Sequence, residues 1–265
     1  MMSTAAGMGL CGLRPVVYTI TPFVTTRCLE QIKIGVAYHK SPVIIVGTGS
    51  GLSYSELGPT HHSLDEMSAL RGIPELNIAA PIDSVELAEQ LKDALSKETP
   101  TYIRIGKKGE PVIHSGNSQL GVNKANLLRE GKDVLVLGIG PIISEALAAS
   151  QHLEEYGLSV AVASLGGVKP LDTDFLKRMQ NRYNTWISLE EHSILGGVGD
   201  ALLDWINSSQ NKDIALYKLG IQDSFIHTLG KQDYIRSQLG IDSTGLVRFI
   251  KKITDGEDWV KTDCE

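Results

Sequence analysis

Pro42-Val43-Ile44-Ile45-Val46-Gly47-Thr48, then Gly49-Ser50-Gly51, then Leu57-Gly58-Pro59-Thr60-His61-His62-Ser63-Leu64 is the order of residues that decides how this chain is read. An unbroken apolar run of that length marks a strand buried on both faces of a parallel sheet. The glycines behind it put a loop at the strand's carboxyl end, where open α/β sheets bind ligands. Two imidazoles on a Gly-Pro turn in that loop bring groups that donate, accept or relay protons near neutral pH.

Outward from this stretch, residues 15–20, 76–80 and 101–105 have the same strand character. Residues 25–38 place Cys28, Leu29, Ile32 and Val36 on one stripe at helical spacing. Residues 84–95 do the same with Val85, Leu87, Ala88, Leu91 and Leu95, and Ser84 stands where an N-cap belongs. Such alternation predicts a parallel sheet with helices on both faces. Gly, Lys, Ser, Asn and Pro dominate residues 106–123, which divides the chain into residues 1–108, a linker at 109–121 and residues 122–254. The second part repeats the pattern, with strands expected at 133–137, 158–165, 185–189 and 214–219 and helices at 142–156, after Gly199 and at 246–253. A polar tail, 255–265, follows. The predicted fold class is α/β, with two parallel-sheet domains. At the other end, residues 3–13 read as a helix with no strand before it, which leaves an apolar sheet edge bare, so the chain reads as beginning inside a domain.

Composition narrows the function. In 265 residues, 42% hydrophobic content is ample for a buried core. A net charge of -6 with scattered Lys and Arg argues against nucleic acid as a partner. No apolar run approaches the ~20 residues that span a bilayer, and no leader-like segment opens the chain, which predicts a cytoplasmic protein with no membrane partner. Cys11, Cys28 and Cys264 are odd in number and lack Cys-x-x-Cys spacing, so they suggest neither a disulfide framework nor a zinc site.

Several motifs invite sharper readings. Gly138-Ile139-Gly140-Pro141 follows a strand and opens a helix, but Ile143 stands where a dinucleotide fingerprint needs its third glycine. Gly196-Gly197-Val198-Gly199-Asp200 is read as a tight turn into a helix. His61 and His62, as adjacent residues, diverge in direction and fit no metal-ligand spacing, so one of the pair is expected to face a substrate. Arg104 closes a strand at its carboxyl end, where a guanidinium grips a phosphate through two parallel hydrogen bonds or forms an ion pair. Phe23 sits at a strand-to-helix turn and either packs in the core or presents its ring to a planar ligand. His39, His114, His152, His192 and His227 have no comparable setting and are read as surface or structurally satisfied.

Gly12-Leu13-Arg14-Pro15-Val16-Val17-Tyr18-Thr19, Phe23, Glu30-Gln31-Ile32, Gly58-Pro59-Thr60-His61 and Tyr102-Ile103-Arg104, in that order, resemble transketolase. The resemblance covers nearly the whole chain: a pyrimidine-binding domain over about 1–108 and a Rossmann-like transketolase C-terminal domain over about 122–254. It implies a thiamine diphosphate enzyme that carries a two-carbon ketol unit between sugar phosphates, or from a 2-keto donor to an aldehyde. The cofactor supplies the carbanion chemistry there, and the protein supplies orientation and proton management. It further implies that Phe23 stacks on the aminopyrimidine and Ile20 lines the same pocket. His61 touches substrate oxygens and helps move protons, and Arg104 binds a sugar phosphate. Arg27 resembles an arginine of the deoxyxylulose-phosphate synthase branch and adds a second phosphate contact.

The departures from the family pattern are specific. Leu57 replaces an acidic residue before Gly-Pro-Thr-His, and Gly49 replaces a loop histidine, both at substrate-recognition positions. The family's Gly-Asp-Gly motif for the diphosphate and Mg²⁺ has its nearest match in Gly199-Asp200-Ala201, in the other domain and without the last glycine. The glutamate that activates the cofactor precedes the helix equivalent to residues 3–13, so it falls before Met1. The resemblance therefore implies the C-terminal subunit of a split transketolase. It would work with an N-terminal subunit that binds the diphosphate and Mg²⁺, in an α2β2 assembly with a homodimer contact. Two other readings stand beside it: a catalytically silent assembly or regulatory subunit, and the β subunit of a 2-keto-acid dehydrogenase.

Overall fold

Four short apolar strands, β1 (Val16–Ile20), β2 (Ile44–Thr48), β3 (Asn77–Ala79) and β4 (Thr101–Arg104), form a parallel sheet in the order β1-β2-β4-β3. The computed structural model describes residues 1–107, 109–114, 120–209 and 213–255; Lys108, the centre of the expected linker and the expected tail beyond Asp255, with Cys264, lie outside them. Every residue of β2 and β4 is buried, as continuous apolar runs in a covered parallel sheet require. β1 is an edge strand on which Val16 and Tyr18 remain exposed, with helix α1 (Met2–Leu10) beside it.

The fifth strand of this sheet comes from the second half of the chain. β8 (Gly167–Lys169) lies antiparallel to β3, with Ile78 opposite Lys169 and Ala79 opposite Gly167. A Cβ on Gly167 would lie 2.4 Å from the Ile78 carbonyl oxygen and 1.9 Å from Asn123 Oδ1, so the approach requires glycine. Three residues carry no readable periodicity, and the expected division into 1–108 and 122–254 did not foresee this exchange.

The second sheet contains β5 (Asn126–Arg129), β6 (Val134–Gly138), β7 (Val160–Ser164), β9 (Thr185–Ser193) and β10 (Ala215–Ile221) in the order β10-β9-β6-β7-β5. All pairings are parallel except that of β5 with β7. One buried cluster runs from Val17, Ile45 and Tyr102 through Leu165 and Val168 to Leu137 and Trp186, so the two sheets share a core. Among the described residues no helix is long and apolar enough to cross a membrane.

Helices depart from expectation in instructive places. In place of one helix over 25–38 the chain forms a 3-10 turn (Thr26–Cys28) and a π-helical segment (Gln31–Tyr38) that buries Ile32 and Val36, preceded by a short α2 (Thr21–Val24). After α3 (Glu66–Arg71) comes α4 (Ser84–Ser96), whose cap is Asp83 rather than Ser84, with its carboxylate accepting from the Glu86 amide at 2.8 Å. α4 buries Glu86, Gln90 and Ala94, whereas Leu95 of the expected stripe is exposed. The polar residues face inward because they bond across to the second domain: Gln90 Nε2 donates to the Gly166 carbonyl at 2.7 Å, and Ser164 Oγ donates to Glu86 at 3.2 Å. Burial pushes the Glu86 carboxyl up to about 8. The second domain adds α5 (Ile143–Glu154), α6 (Thr173–Gln180), α7 (Val198–Ser208), α8 (Gln232–Leu239) and α9 (Ser243–Thr254), of which α6 and α8 were not expected.

Candidate active site at the carboxyl edge of the first sheet

Ile20 ends β1 and leads directly into α2, where Pro22 fits the first helical turn and Phe23 follows. Thr21 Oγ1 donates to the Thr48 carbonyl at 3.0 Å and pins this turn to the end of β2. Phe23 and Ile20 are half-buried. The Phe23 ring meets His61 edge to face, with centroids 5.4 Å apart and planes inclined at 69°. Tyr54 approaches the same imidazole at 6.2 Å, and the exposed Arg27 holds its guanidinium 4.3 Å from the Phe23 centroid. The structure thus brings Phe23, Arg27 and His61 together beside the end of β1.

The loop that presents His61 is closed on itself. Gly51 and Ser63 exchange backbone hydrogen bonds of 3.1 and 3.0 Å, and the amides of His61 and His62 both donate to the Gly58 carbonyl. Gly58 adopts φ 76° and ψ -170°, a region only glycine occupies without strain. Thr60 Oγ1 and His61 Nδ1 lie 3.0 Å apart in a shared hydrogen bond, which leaves Nε2 as the nitrogen available to a substrate. His62 turns the other way: it is buried, and loss of solvent lowers its pKa. At Gly49 a Cβ would strike the Tyr54 ring at 1.9 Å. Tyr54 occupies the space a loop side chain would need, and nothing in its Ser-rich surroundings singles it out in advance.

Arg104 is placed differently from the expected open phosphate grip. It is 2% exposed, with Nε donating to Glu66 Oε1 at 2.6 Å and Nη2 donating to the carbonyls of Ser63 and Glu191 at 3.0 and 2.9 Å. Burial alone would raise the Glu66 carboxyl, but the adjacent Arg104 charge overrides it and holds the group below the usual carboxylate range. The guanidinium closes the seam between the two domains, so a substrate phosphate has no open face of Arg104 to meet.

The seam continues in β9, where sequence reading selected nothing. Glu190 accepts from the amides of Val198 and Gly199 at 2.7 and 3.0 Å and so caps α7. Its carboxylate fills the place a Cβ on Gly197 would take, and Gly196 adopts φ 75° with its open face against Ser68, which explains the glycines before α7 without any nucleotide. Burial pushes this carboxyl up to about 7. His192, expected to be satisfied or on the surface, is fully buried, and desolvation drops it to about 4. The signal that could have found this seam is the triplet Glu190-Glu191-His192, three polar residues continuing an apolar strand.

Comparison with known proteins fixes the class. Residues 1–110 match the transketolase pyrimidine binding domain and residues 123–245 the transketolase C-terminal domain. A 6-deoxy-6-sulfo-D-fructose transketolase subunit from Clostridium sp. (strain MSTE9) is 30% identical over 259 residues, covering 98% of this chain and 80% of that subunit. The chain belongs to the transketolase family. An apulose-4-phosphate transketolase subunit from Actinobacillus succinogenes is 32% identical, covering 93% of this chain and 79% of that subunit. The 1-deoxy-D-xylulose-5-phosphate synthase of Chlorobium phaeovibrioides is 34% identical over 96% of this chain, which spans 40% of the synthase. Among solved structures, a split gene transketolase described as an inactive beta4 tetramer superposes with a TM-score of 0.83 at 27% identity, covering 95% of this chain and 79% of that one.

Proposed function

We propose that this chain is the pyrimidine-side subunit of a thiamine diphosphate-dependent, transketolase-type transferase that moves a two-carbon ketol unit from a ketose or 2-keto donor to an aldehyde. The observation that carries the reading is the rim of Ile20, Phe23, Arg27 and His61, formed on a chain whose two parts match the family's pyrimidine and C-terminal domains. A half-buried phenyl ring at the carboxyl edge of a parallel sheet, edged by an imidazole, fits a planar heteroaromatic ring. Thiamine diphosphate, when bound, supplies the carbon nucleophile. Phe23 and Ile20 hold its pyrimidine ring. His61, oriented by Thr60, presents Nε2 to the substrate oxygen whose proton must move. Arg27 offers an exposed guanidinium to a phosphorylated substrate, a role we do not give to the buried Arg104.

We assign the diphosphate and its Mg²⁺ to a partner subunit, because the two matched domains are the pyrimidine and C-terminal ones and the related chains are themselves named as subunits. The active unit is then a hetero-oligomer containing a contact between copies of this chain. Reconstitution tests this. The chain is mixed with the diphosphate-domain subunit from the same genome, thiamine diphosphate and Mg²⁺, and hydrogen exchange at cofactor C2 and ketol transfer to an aldehyde are followed. Both should require the two subunits together. Exchange no faster than in buffer, with the two chains shown to be assembled, refutes the enzymatic reading.

A further inference from the structure

The loop that carries His61 is fastened to the second domain at several separate points. Ser55 Oγ donates to the Gly230 carbonyl at 2.7 Å, and the Ser193 amide donates to the Leu64 carbonyl at 2.8 Å. Arg104 Nη2 bridges the Ser63 and Glu191 carbonyls. Leu52 is fully buried in the apolar cluster that contains Val136, Ile187 and Ile235 of the second domain. At Gly51, with φ 62°, a Cβ would lie 2.5 Å from Glu191 Oε2, so the Glu191 carboxylate packs directly on the backbone that opens the loop. That carboxylate is held in turn by α8. Gln232 Nε2 donates to it at 3.0 and 3.1 Å, and Arg236 Nε donates at 2.9 Å, with both Glu191 and Arg236 buried.

We infer that Glu191, gripped by Gln232 and Arg236, is a positioning residue that sets the register of the loop bearing His61, and that this is a task of the C-terminal domain in catalysis. The geometry separates it from an ordinary interface ion pair. Its carboxylate presses on Gly51, its carbonyl is tied through Arg104 to Ser63, and Gly51 and Ser63 are the two residues whose pairing closes the loop around His61. A shift of about 1 Å in a catalytic side chain lowers turnover by as much as 100-fold.

The inference rests on His61 acting as proposed, and the test keeps the two apart. In the reconstituted pair, kcat per cofactor-loaded site and amide exchange at Gly51 and Ser63 are measured for wild type, Glu191→Ala, Glu191→Gln and Gln232→Ala. We expect kcat to fall on the order of 10- to 100-fold in Glu191→Ala and roughly 3-fold in Gln232→Ala, with Glu191→Gln recovering most of the loss. Gly51 and Ser63 should exchange faster in both alanine variants while Val136 and Ile187 stay protected. An inactive, assembled wild type defeats the enzymatic reading. An active wild type whose alanine variants match it, or lose kcat without faster exchange at Gly51 and Ser63, overturns the positioning role. Should Glu191→Ala fail to assemble, the half-buried Gln232→Ala decides the question alone.

Discussion

The open rim and the sealed seam beneath it are built from the same chemical types and use them oppositely. At the rim, Arg27 is exposed over the Phe23 ring, and His61 keeps one ring nitrogen available. At the seam, Arg104 is neutralised by Glu66, and His192 is stripped of solvent. A buried guanidinium paired at 2.6 Å has its geometry and its charge committed, whereas an exposed one remains available to an incoming anion. Residue type alone therefore does not assign a role; burial and partner do.

Four measurements would sharpen or break this contrast. The largest effect is expected at the seam: Arg104→Ala leaves Glu66 as an uncompensated buried charge and should lower stability by about 3–5 kcal/mol. Unchanged denaturant midpoints with weaker binding of phosphorylated substrates would move Arg104 to the rim. Next comes the Glu190 carboxyl, raised to about 7 by burial from an ordinary 4.5. Because the folded state holds this proton more tightly, the associated stability is full below pH 4.5 and declines as pH rises through 7. Relative to Glu190→Gln, the wild type should lose roughly 3 kcal/mol across that window, and a pH-independent difference would mean that Glu190 is ionised throughout. At the rim, His61→Ala should lower kcat about 100-fold if the imidazole moves a proton, and equal turnover would leave it a structural residue. The smallest effect belongs to Arg27→Ala: KM should rise about 10-fold for phosphorylated substrates and remain flat for unphosphorylated ones, and an equal rise for both removes the phosphate contact.

What the sequence disclosed follows from how its signals are written. The runs around Ile44, Val134 and Val160 state a covered parallel sheet residue by residue, because every position must be apolar. His61 stood out because loops at the carboxyl ends of such strands are where ligands bind, whereas Phe23 stayed open between core and ligand and Arg27 entered only through the resemblance to the transketolase family. The seam was not legible. Glu86, Gln90, Arg104 and Glu191 are polar and would be read as solvent-facing, yet each is buried with partners distant in sequence: Glu86 and Gln90 bond to Ser164 and Gly166 of the other domain, Arg104 pairs with Glu66 and reaches the Glu191 carbonyl across the seam, and the Glu191 carboxylate is held by Gln232 and Arg236. α8 was missed because few of its residues are buried, Ile235 and Arg236 among them, which is too thin a stripe to register as a period. The split of 25–38 into a 3-10 turn and a π-helical segment likewise leaves the stripe of Ile32 and Val36 intact while changing the hydrogen bonding beneath it.

β8 has a consequence for how the molecule comes into being. A ribosome making this chain finishes the four parallel strands of the first sheet at Arg104, but the segment that covers the β3 border emerges only with Gly167–Lys169. At roughly 5–20 residues per second, the nascent first layer waits seconds with that border open, and neither half released alone is a finished body. Any scheme that expresses the two halves as separate polypeptides has to carry residues 167–169 with the first.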